Sequence, residues 1–234
     1  LPDYLLFTCE HGGNTVPPRY GALFRGLQKQ LKTHAGYDIG ALTLATQLSK
    51  SFKAPLVAST TTRLLVDLNR SSHHSRLHVE AVRQSSREVR EQILADHYLP
   101  YRGEVESLVS KATTGGQRVI HISSHSFTPE LNGQVRTADI GLLYDPSRAG
   151  EVHFCGAWKA ALERANPHWR VRRNYPYRGK DDGFMPYLRR RFRPTSYVGV
   201  ELEVNQAIVL GPSQHWTELR KAVLTSLRIA LAAK

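Results

Sequence analysis

Two periods of apolar and polar residues run along this chain, and the switches between them divide it into strands and helices. Tyr4-Leu5-Leu6-Phe7 is a short continuous apolar run of the kind that forms a buried strand. The paired prolines of Val16-Pro17-Pro18-Arg19-Tyr20 predict a loop, and residues 23–31 a short amphipathic helix. From Asp38 a helix is expected through Phe52, with Asp38 as N-cap and Leu42, Ala45, Leu48 and Phe52 on one face. A strand follows over 55–58. Arg63-Leu64-Leu65-Val66-Asp67-Leu68-Asn69-Arg70 then sets an apolar segment between two arginines. Residues 71–84 are polar, carry His73, His74 and His78, and read as a mobile loop over a site. A helix from Ser86 places Val89, Ile93 and Tyr98 on one face, is interrupted at Pro100, resumes toward Ala112 and ends at Thr114-Gly115-Gly116.

Over 118–127, strand alternation puts Val119, His121, Ser123 and His125 on one face. His121 lies inside the apolar run and reads as a hydrogen-bonded core residue, whereas His125 falls where the strand gives way to polar residues. A strand over 139–144 precedes a helix over 148–165 with Phe154, Trp158 and Leu162 inward. A glycine-bearing polar loop spans 175–183, and a short helix 184–192. Over 197–205, Glu201, Glu203 and Asn205 share one face, and Val198, Val200, Leu202 and Val204 the other. The last helix is expected over 213–232, with Ser213 as N-cap and Trp216, Leu219, Val223, Leu227 and either Ile229 or Ala230 facing the core. Strands and helices alternate without linker or repeat. The expected fold is therefore α/β: a single domain over 1–234, three layers deep, with a mixed, mostly parallel sheet between helices.

Composition narrows the setting. A chain of 234 residues can bury a substantial core, and none of its apolar runs approaches the roughly 20 residues that span a bilayer, so no membrane partner is expected. The first residues read as a folded strand rather than a signal peptide. Cys9 and Cys155 are too few for a disulfide framework, which makes a cytoplasmic location the expectation. Cys9, two residues from His11, is either strand-end packing or a nucleophile. The formal charge of +12 attracts polyanions and steers small anionic substrates. Its densest runs are Arg170, Arg172 and Arg173, and Arg189-Arg190-Arg191 with Arg193; no nucleic-acid-binding motif accompanies them, so a nucleic acid is not the expected partner. Oligomeric state has no signal here.

Polar clusters at several strand ends should converge along one edge of the sheet: Glu10, His11, Asp38, His125, Glu201 and Glu203, with Arg63 and Arg70. Strand pleating alone would send Glu10 and His11 to opposite faces, and a turn at Gly12-Gly13 would relax that and let a substrate approach. Two imidazoles and a carboxylate make a catalytic zinc triad with one coordination position open, while a further carboxylate can move a proton. Capping and ion pairing are the competing roles for the same residues.

The blocks Cys9-Glu10-His11-Gly12-Gly13-Asn14 with Val16-Pro17, His34-Ala35-Gly36-Tyr37-Asp38-Ile39-Gly40-Ala41, Arg63 through Arg70, Ser123-Ser124-His125-Ser126-Phe127 and Gly199-Val200-Glu201-Leu202-Glu203-Val204-Asn205 resemble, in order, the N-formylglutamate amidohydrolase family. The resemblance implies a zinc-dependent amidase, with a three-layer fold like that of zinc carboxypeptidases, that cleaves an N-acyl amino acid such as N-formylglutamate. It implies His11, Asp38 and His125 as zinc ligands, with Glu10 the alternate carboxylate. Glu203 is then the proton shuttle and Glu201 its alternate. Arg63 and Arg70, beside Asn69, bind the substrate carboxylate or polarise the scissile carbonyl, and Tyr177 and Arg178 belong to a loop that closes over substrate. Ser123 departs from the pattern by standing where the resembling segment commonly has Asp. Short peptides or cell-wall fragments are the alternative substrates, and a basic nucleic-acid-binding protein on a degenerate amidase fold is the alternative function.

Overall fold

A computed structural model describes residues 3–233, so residues 1, 2 and 234 of the expected domain lie outside the described residues. In chain order the elements are β1 (Tyr4–Cys9), a 3₁₀ turn (Pro18–Phe24), α1 (Gln28–Leu31), α2 (Ala41–Phe52), β2 (Leu56–Ala58), α3 (Glu80–Arg83), α4 (Arg87–Ile93), a π-helical turn (Leu94–Tyr98) and α5 (Leu99–Thr114). Then come β3 (Val119–Phe127), β4 (Glu130–Leu131), β5 (Gln134–Val135), β6 (Ile140–Leu143), α6 (Ala149–Ala165), β7 (Val171–Arg173), α7 (Phe184–Arg191), β8 (Tyr197–Asn205), α8 (Gln206–Leu210) and α9 (Ser213–Ala232).

Six strands form one sheet in the order β2-β1-β3-β8-β6-β7. β2, β1, β3 and β8 are parallel, β6 runs antiparallel to β8, and β7 is parallel to β6. The sheet is mixed and mostly parallel, with helices on both faces, as the alternation predicts. β3 and β8 are buried along their whole length, as central strands covered on two sides must be. One face carries Phe7, Ile120, Ile122, Val198, Val200, Leu202 and Val204 and packs on α2, α6 and α9. The other carries Leu6, Val119 and Tyr197 and packs on α5, α7 and the apolar part of the 63–70 segment. His121, Ser123 and His125 of β3 and Glu201 and Glu203 of β8 belong to this second face, beyond its apolar half, whereas Ser124 and Ser126 lie on the first and bond the backbone of Ala41 and Ile39.

Local differences from the pattern have identifiable causes. Pro17 and Pro18 open the 3₁₀ turn instead of a loop, because proline's fixed φ suits the first residue of a helical turn, and the turn buries Tyr20 and Phe24. The interruption expected at Pro100 takes the form of the π-helical turn just before it, and Pro100 sits in the first turn of α5, where its missing N–H is not needed. Residues 71–84 are packed rather than draped over a site. The Leu77 carbonyl accepts from Asp67 N, Val79 N donates to Leu64 O, and Leu77 and Val82 are buried. α9 starts at Ser213 with Pro212 as its cap residue, and its last turn buries Ala230 and leaves Ile229 exposed. The β4–β5 hairpin turns through Asn132 and Gly133, both at positive φ, a two-residue signal legible in the sequence.

Candidate active site

β1 ends at Cys9, and Glu10 and His11 form the turn beyond it. Glu10 continues the pleat on the face of Leu6 and Thr8, and the turn swings His11 to the same side. Gly12 and Gly13 serve close packing here. A Cβ on Gly12 would lie 2.8 Å from the Ser59 carbonyl oxygen, and one on Gly13 2.7 Å from that of Thr60. The expected opening for substrate at these glycines is therefore filled by the backbone that continues β2.

Asp38 is not the cap of α2. Gly40 takes that position at φ 85, and the Asp38 carboxylate points away from the helix. Its Oδ2 lies 2.8 Å from His125 Nδ1 and 3.4 Å from His11 Nδ1, and its Oδ1 accepts from Arg63 at 3.1 Å. Three charged partners outcompete a helix N-terminus. One donor atom each from His11, Asp38 and His125 falls within 4.8 Å of the others, and all three residues are buried.

The opposite nitrogens are also held. His11 Nε2 is 2.7 Å from Asp67 Oδ1, and the other Asp67 oxygen accepts from Arg63 at 2.7 Å. His125 Nε2 is 2.8 Å from Ser123 Oγ and 3.2 Å from Glu10 Oε2. Ser123 donates to Glu10 Oε2, and Tyr101 Oη donates to Glu10 Oε1 at 3.0 Å. In the register of β3 with β8, His125 faces Glu203 and Ser123 faces Glu201. Opposed residues in neighbouring strands present their side chains to the same face, so both glutamates join the cluster. Glu203 Oε2 is buried without a hydrogen-bond partner among the described residues.

Charge follows from these contacts. Burial opposes ionisation of Asp38, Asp67 and Glu10, but the imidazoles, with Arg63 for the two aspartates and Ser123 for Glu10, outweigh it and hold all three below the usual carboxylate range. Burial and Arg63 push His11 down, and Asp67 and Asp38 more than restore it, leaving its pKa raised. Burial likewise lowers His125, and its bonds to Asp38 and Glu10 lift it well above the ordinary value. Burial, helped by Asp38 and Glu201 and opposed by His125 and Arg63, pushes Glu203 up to about 8. Glu201 is raised by burial too, with His125 and Arg189 opposing it.

The remaining expected residues lie around this cluster. Arg63 is committed to Asp38 and Asp67. Arg70, partly exposed, lies 4.0 Å from Asp67 and donates to the Asp182 carbonyl at 3.1 Å. Asn69 Oδ1 accepts from Phe184 N at 2.8 Å, tying the start of α7 to the site. The 174–183 loop crosses β6 where Gly141 lacks a side chain: a Cβ there would sit 2.0 Å from the Tyr175 carbonyl oxygen and 3.2 Å from Glu203 Cβ. The loop is pinned by Asp182, which accepts from Ser71 N, and by Tyr177, whose hydroxyl accepts from Arg136 at 3.0 Å. Arg178 lies exposed between those two points. His121 bonds Thr8 and Tyr197 inside the sheet, as a core histidine does. Cys9 is buried, and burial raises its thiol pKa well above the ordinary value, the reverse of an activated nucleophile.

Two functional contacts carried little or no sequence signal. Asp67 is visible as an arginine partner, but its bond to His11 depends on a turn no periodicity predicts. Tyr101 sits one residue after Pro100 with nothing to mark it. The Arg189-Arg190-Arg191 run is not a continuous basic strip. Arg189 is buried on Glu151 and the Gly199 carbonyl, and Arg191 pairs with Glu106.

Converging imidazoles and carboxylates at the C-terminal edge of a mixed sheet, with a spare buried carboxylate opposite one imidazole, are the equipment of a hydrolase. A family model described as N-formylglutamate amidohydrolase matches residues 4–210. The chain belongs to that family and is a hydrolase of amide bonds. It is similar to a gene product of Agrobacterium tumefaciens of known structure, with 27% identity, a TM-score of 0.83, and coverage of 98% of this chain and 91% of that one. An N-formylglutamate amidohydrolase from Ralstonia eutropha shares the fold at 18% identity and a TM-score of 0.68, over 99% of this chain and 94% of that one. No curated protein sequence matches the chain. Among the described residues, no helix is long and apolar enough to cross a membrane.

Proposed function

We propose that this protein is a zinc-dependent amidohydrolase that removes a small acyl group, formyl above all, from the nitrogen of an acidic amino acid. The observation that carries the reading is the convergence of His11 Nδ1, His125 Nδ1 and an Asp38 oxygen beside the unpartnered Glu203 oxygen. The donor set suits a divalent cation on charge as well as chemistry. The surrounding acids draw both imidazoles toward their cationic form, and a dication on the three donors replaces those two protons without changing the charge of the cluster. His11, Asp38 and His125 are the residues that hold it. Bound there, zinc supplies Lewis-acid polarisation of the amide carbonyl and acidifies water.

The chain's own groups do the rest. Glu203 takes a proton from the attacking water and returns it to the departing amine, for which its raised pKa and free oxygen suit it. Arg63 keeps Asp38 and Asp67 ionised and in place. Arg70 and Arg178, with Asn69 and Tyr177 beside them, receive the substrate carboxylates, to which the overall positive field steers them. His11, Asp38, His125 and Glu203 are each at most 5% exposed, which favours a short acyl group over a peptide or cell-wall strand.

Zinc analysis and a substrate panel test this. About one zinc per chain is expected, with hydrolysis of N-formyl dicarboxylic amino acids ahead of N-acetyl analogues and well ahead of peptides. Full activity after exhaustive chelation would remove the reading; a preference for peptides would move it to the peptidase alternative. Arg70→Ala is expected to raise KM for an acidic substrate roughly 10–100-fold, the loss of one charge-assisted bond, with kcat little changed. An N-formyl amino acid with a neutral side chain serves as the reference substrate. The buried Arg189 and the paired Arg191 leave a nucleic-acid-binding alternative without its continuous basic surface.

A further inference from the structure

Glu10 is a buried acid of the cluster that the proposed reaction does not use. At 1% exposure it cannot be a solvated charge, and both of its oxygens are occupied. From its contacts we infer that Glu10 is a positioning residue: it decides which nitrogen of His125 carries the proton and so leaves Nδ1 free for the metal. This inference rests on the metal-site reading above.

The reasoning is a count of protons. His125 Nε2 lies 2.8 Å from the Ser123 hydroxyl oxygen. A hydroxyl both donates and accepts, so Ser123 alone would serve either tautomer: it could accept from Nε2–H or donate to a bare Nε2. A carboxylate only accepts. With Glu10 Oε2 bonded to Ser123 and 3.2 Å from Nε2, the single Ser123 proton goes to the carboxylate. A bare Nε2 would then face two oxygens with no proton between them, at a buried position where an unmade hydrogen bond is costly. Only the Nε2–H tautomer satisfies all three groups. Nδ1 faces the Asp38 carboxylate at 2.8 Å and also carries a proton in the metal-free cluster, and with Nε2–H held by Glu10 and Ser123 the Nδ1 proton is the one a cation bound by Nδ1 and Asp38 would replace.

Tyr101 fixes the carboxylate in this task. Its hydroxyl proton has two candidate acceptors, Glu10 Oε1 at 3.0 Å and the Val57 carbonyl at 3.2 Å, and the charged one binds it more strongly. At His11, Asp67 acts on Nε2 in the same way from a different segment of chain. Each candidate metal histidine is thus backed by an acid on Nε2 and turns Nδ1 toward Asp38. Glu10 meets the far nitrogen of His125 from the one Asp38 meets, which is the place of an orienting group rather than a ligand.

The test compares wild type, Glu10→Gln and the double variant Glu10→Gln/Ser123→Asp after zinc reconstitution. Zinc affinity is read by competition with a chromophoric chelator, and the protonated nitrogen of His125 from imidazole ¹⁵N spectra of the zinc-loaded proteins. Glutamine keeps the size of Glu10 but can donate to Nε2, so both tautomers return. Zinc affinity should fall roughly 10–100-fold, and the double variant, with an acceptor-only group in reach of the same nitrogen, should recover most of that loss. Should Glu10→Gln not fold, Glu10→Asp, which keeps the charge and retracts it from Nε2, should show a smaller loss in the same direction. Affinity within about threefold of wild type, with the proton still on Nε2, overturns the role of Glu10 alone. Wild type that takes up no zinc overturns the metal-site reading and this inference together.

Discussion

The Glu203→Gln enzyme is expected to keep its zinc and its fold and to lose roughly 10²–10⁴-fold in kcat, the usual contribution of a positioned acid–base group. Glutamine has the shape of glutamate and cannot carry the proton. Glu203 is singled out by three observations: it faces His125 across the β3–β8 pair, one of its oxygens has no partner, and burial lifts its pKa to about 8. Glu201 shares the face but faces Ser123 rather than His125, so Glu201→Gln should cost less. The reverse order of the two variants would exchange their roles.

The same substitution has a stability signature in chelator-treated protein. An acid whose folded pKa is raised binds more protons folded than unfolded between the two values. Stability from this group is fully present below the ordinary value of 4.5 and is lost as pH rises to about 8. Removing the charge removes the loss, so Glu203→Gln should be more stable than wild type near pH 8.5, by at most roughly 5 kcal/mol, and equal to it near pH 4.5. Urea unfolding at the two pH values reads the difference. Equal stability at the higher pH would mean that Glu203 is not a buried, strained acid.

His11→Ala is expected to abolish zinc uptake and amide hydrolysis together while leaving a folded protein. Losing a direct ligand costs more than the roughly 10–100-fold that follows loss of a ligand's hydrogen-bond partner. His11 is the cleaner of the two histidines to remove, because Asp38 and Asp67 both keep Arg63 as counterion. His125→Ala would strip Glu10 of its only cationic neighbour in hydrogen-bonding reach among the described residues and leave a buried carboxylate uncompensated, a defect that costs about 3–5 kcal/mol. Zinc analysis, turnover and circular dichroism on both variants separate these effects. A zinc-free His11→Ala enzyme with wild-type turnover would exclude the metal-assisted mechanism.

Local periodicity carried much of the architecture. The alternation over 197–205 is β8, residue for residue, and its two faces are the apolar layer and the glutamate row of the site. The amphipathic spacing of α6 and α9 likewise marks the residues that pack on the sheet. Periodicity was silent where the chain has none. The 63–70 segment is apolar because it is buried beneath the site by bonds to residues 36 and 77–79, not because it is a strand. The Pro17–Pro18 loop was read from intrinsic preference, which the packing of Tyr20 and Phe24 overrides.

What the sequence by itself determined is the cast of the site: which acids, imidazoles and arginines end strands or begin helices, and therefore which can gather at one sheet edge. Assigning their tasks needed the tertiary structure. Asp38 looks like a cap until two imidazoles and a guanidinium are brought to it from three other segments. Glu10 looks like a ligand until Tyr101 and Ser123 turn it to the far nitrogen of His125. The physical reason is range. Caps, pleats and amphipathic faces are set by neighbours within a few residues, whereas the partner of a buried charge is whatever the fold brings within about 3 Å of it, and here the partners just named are 25 to 113 residues away in sequence.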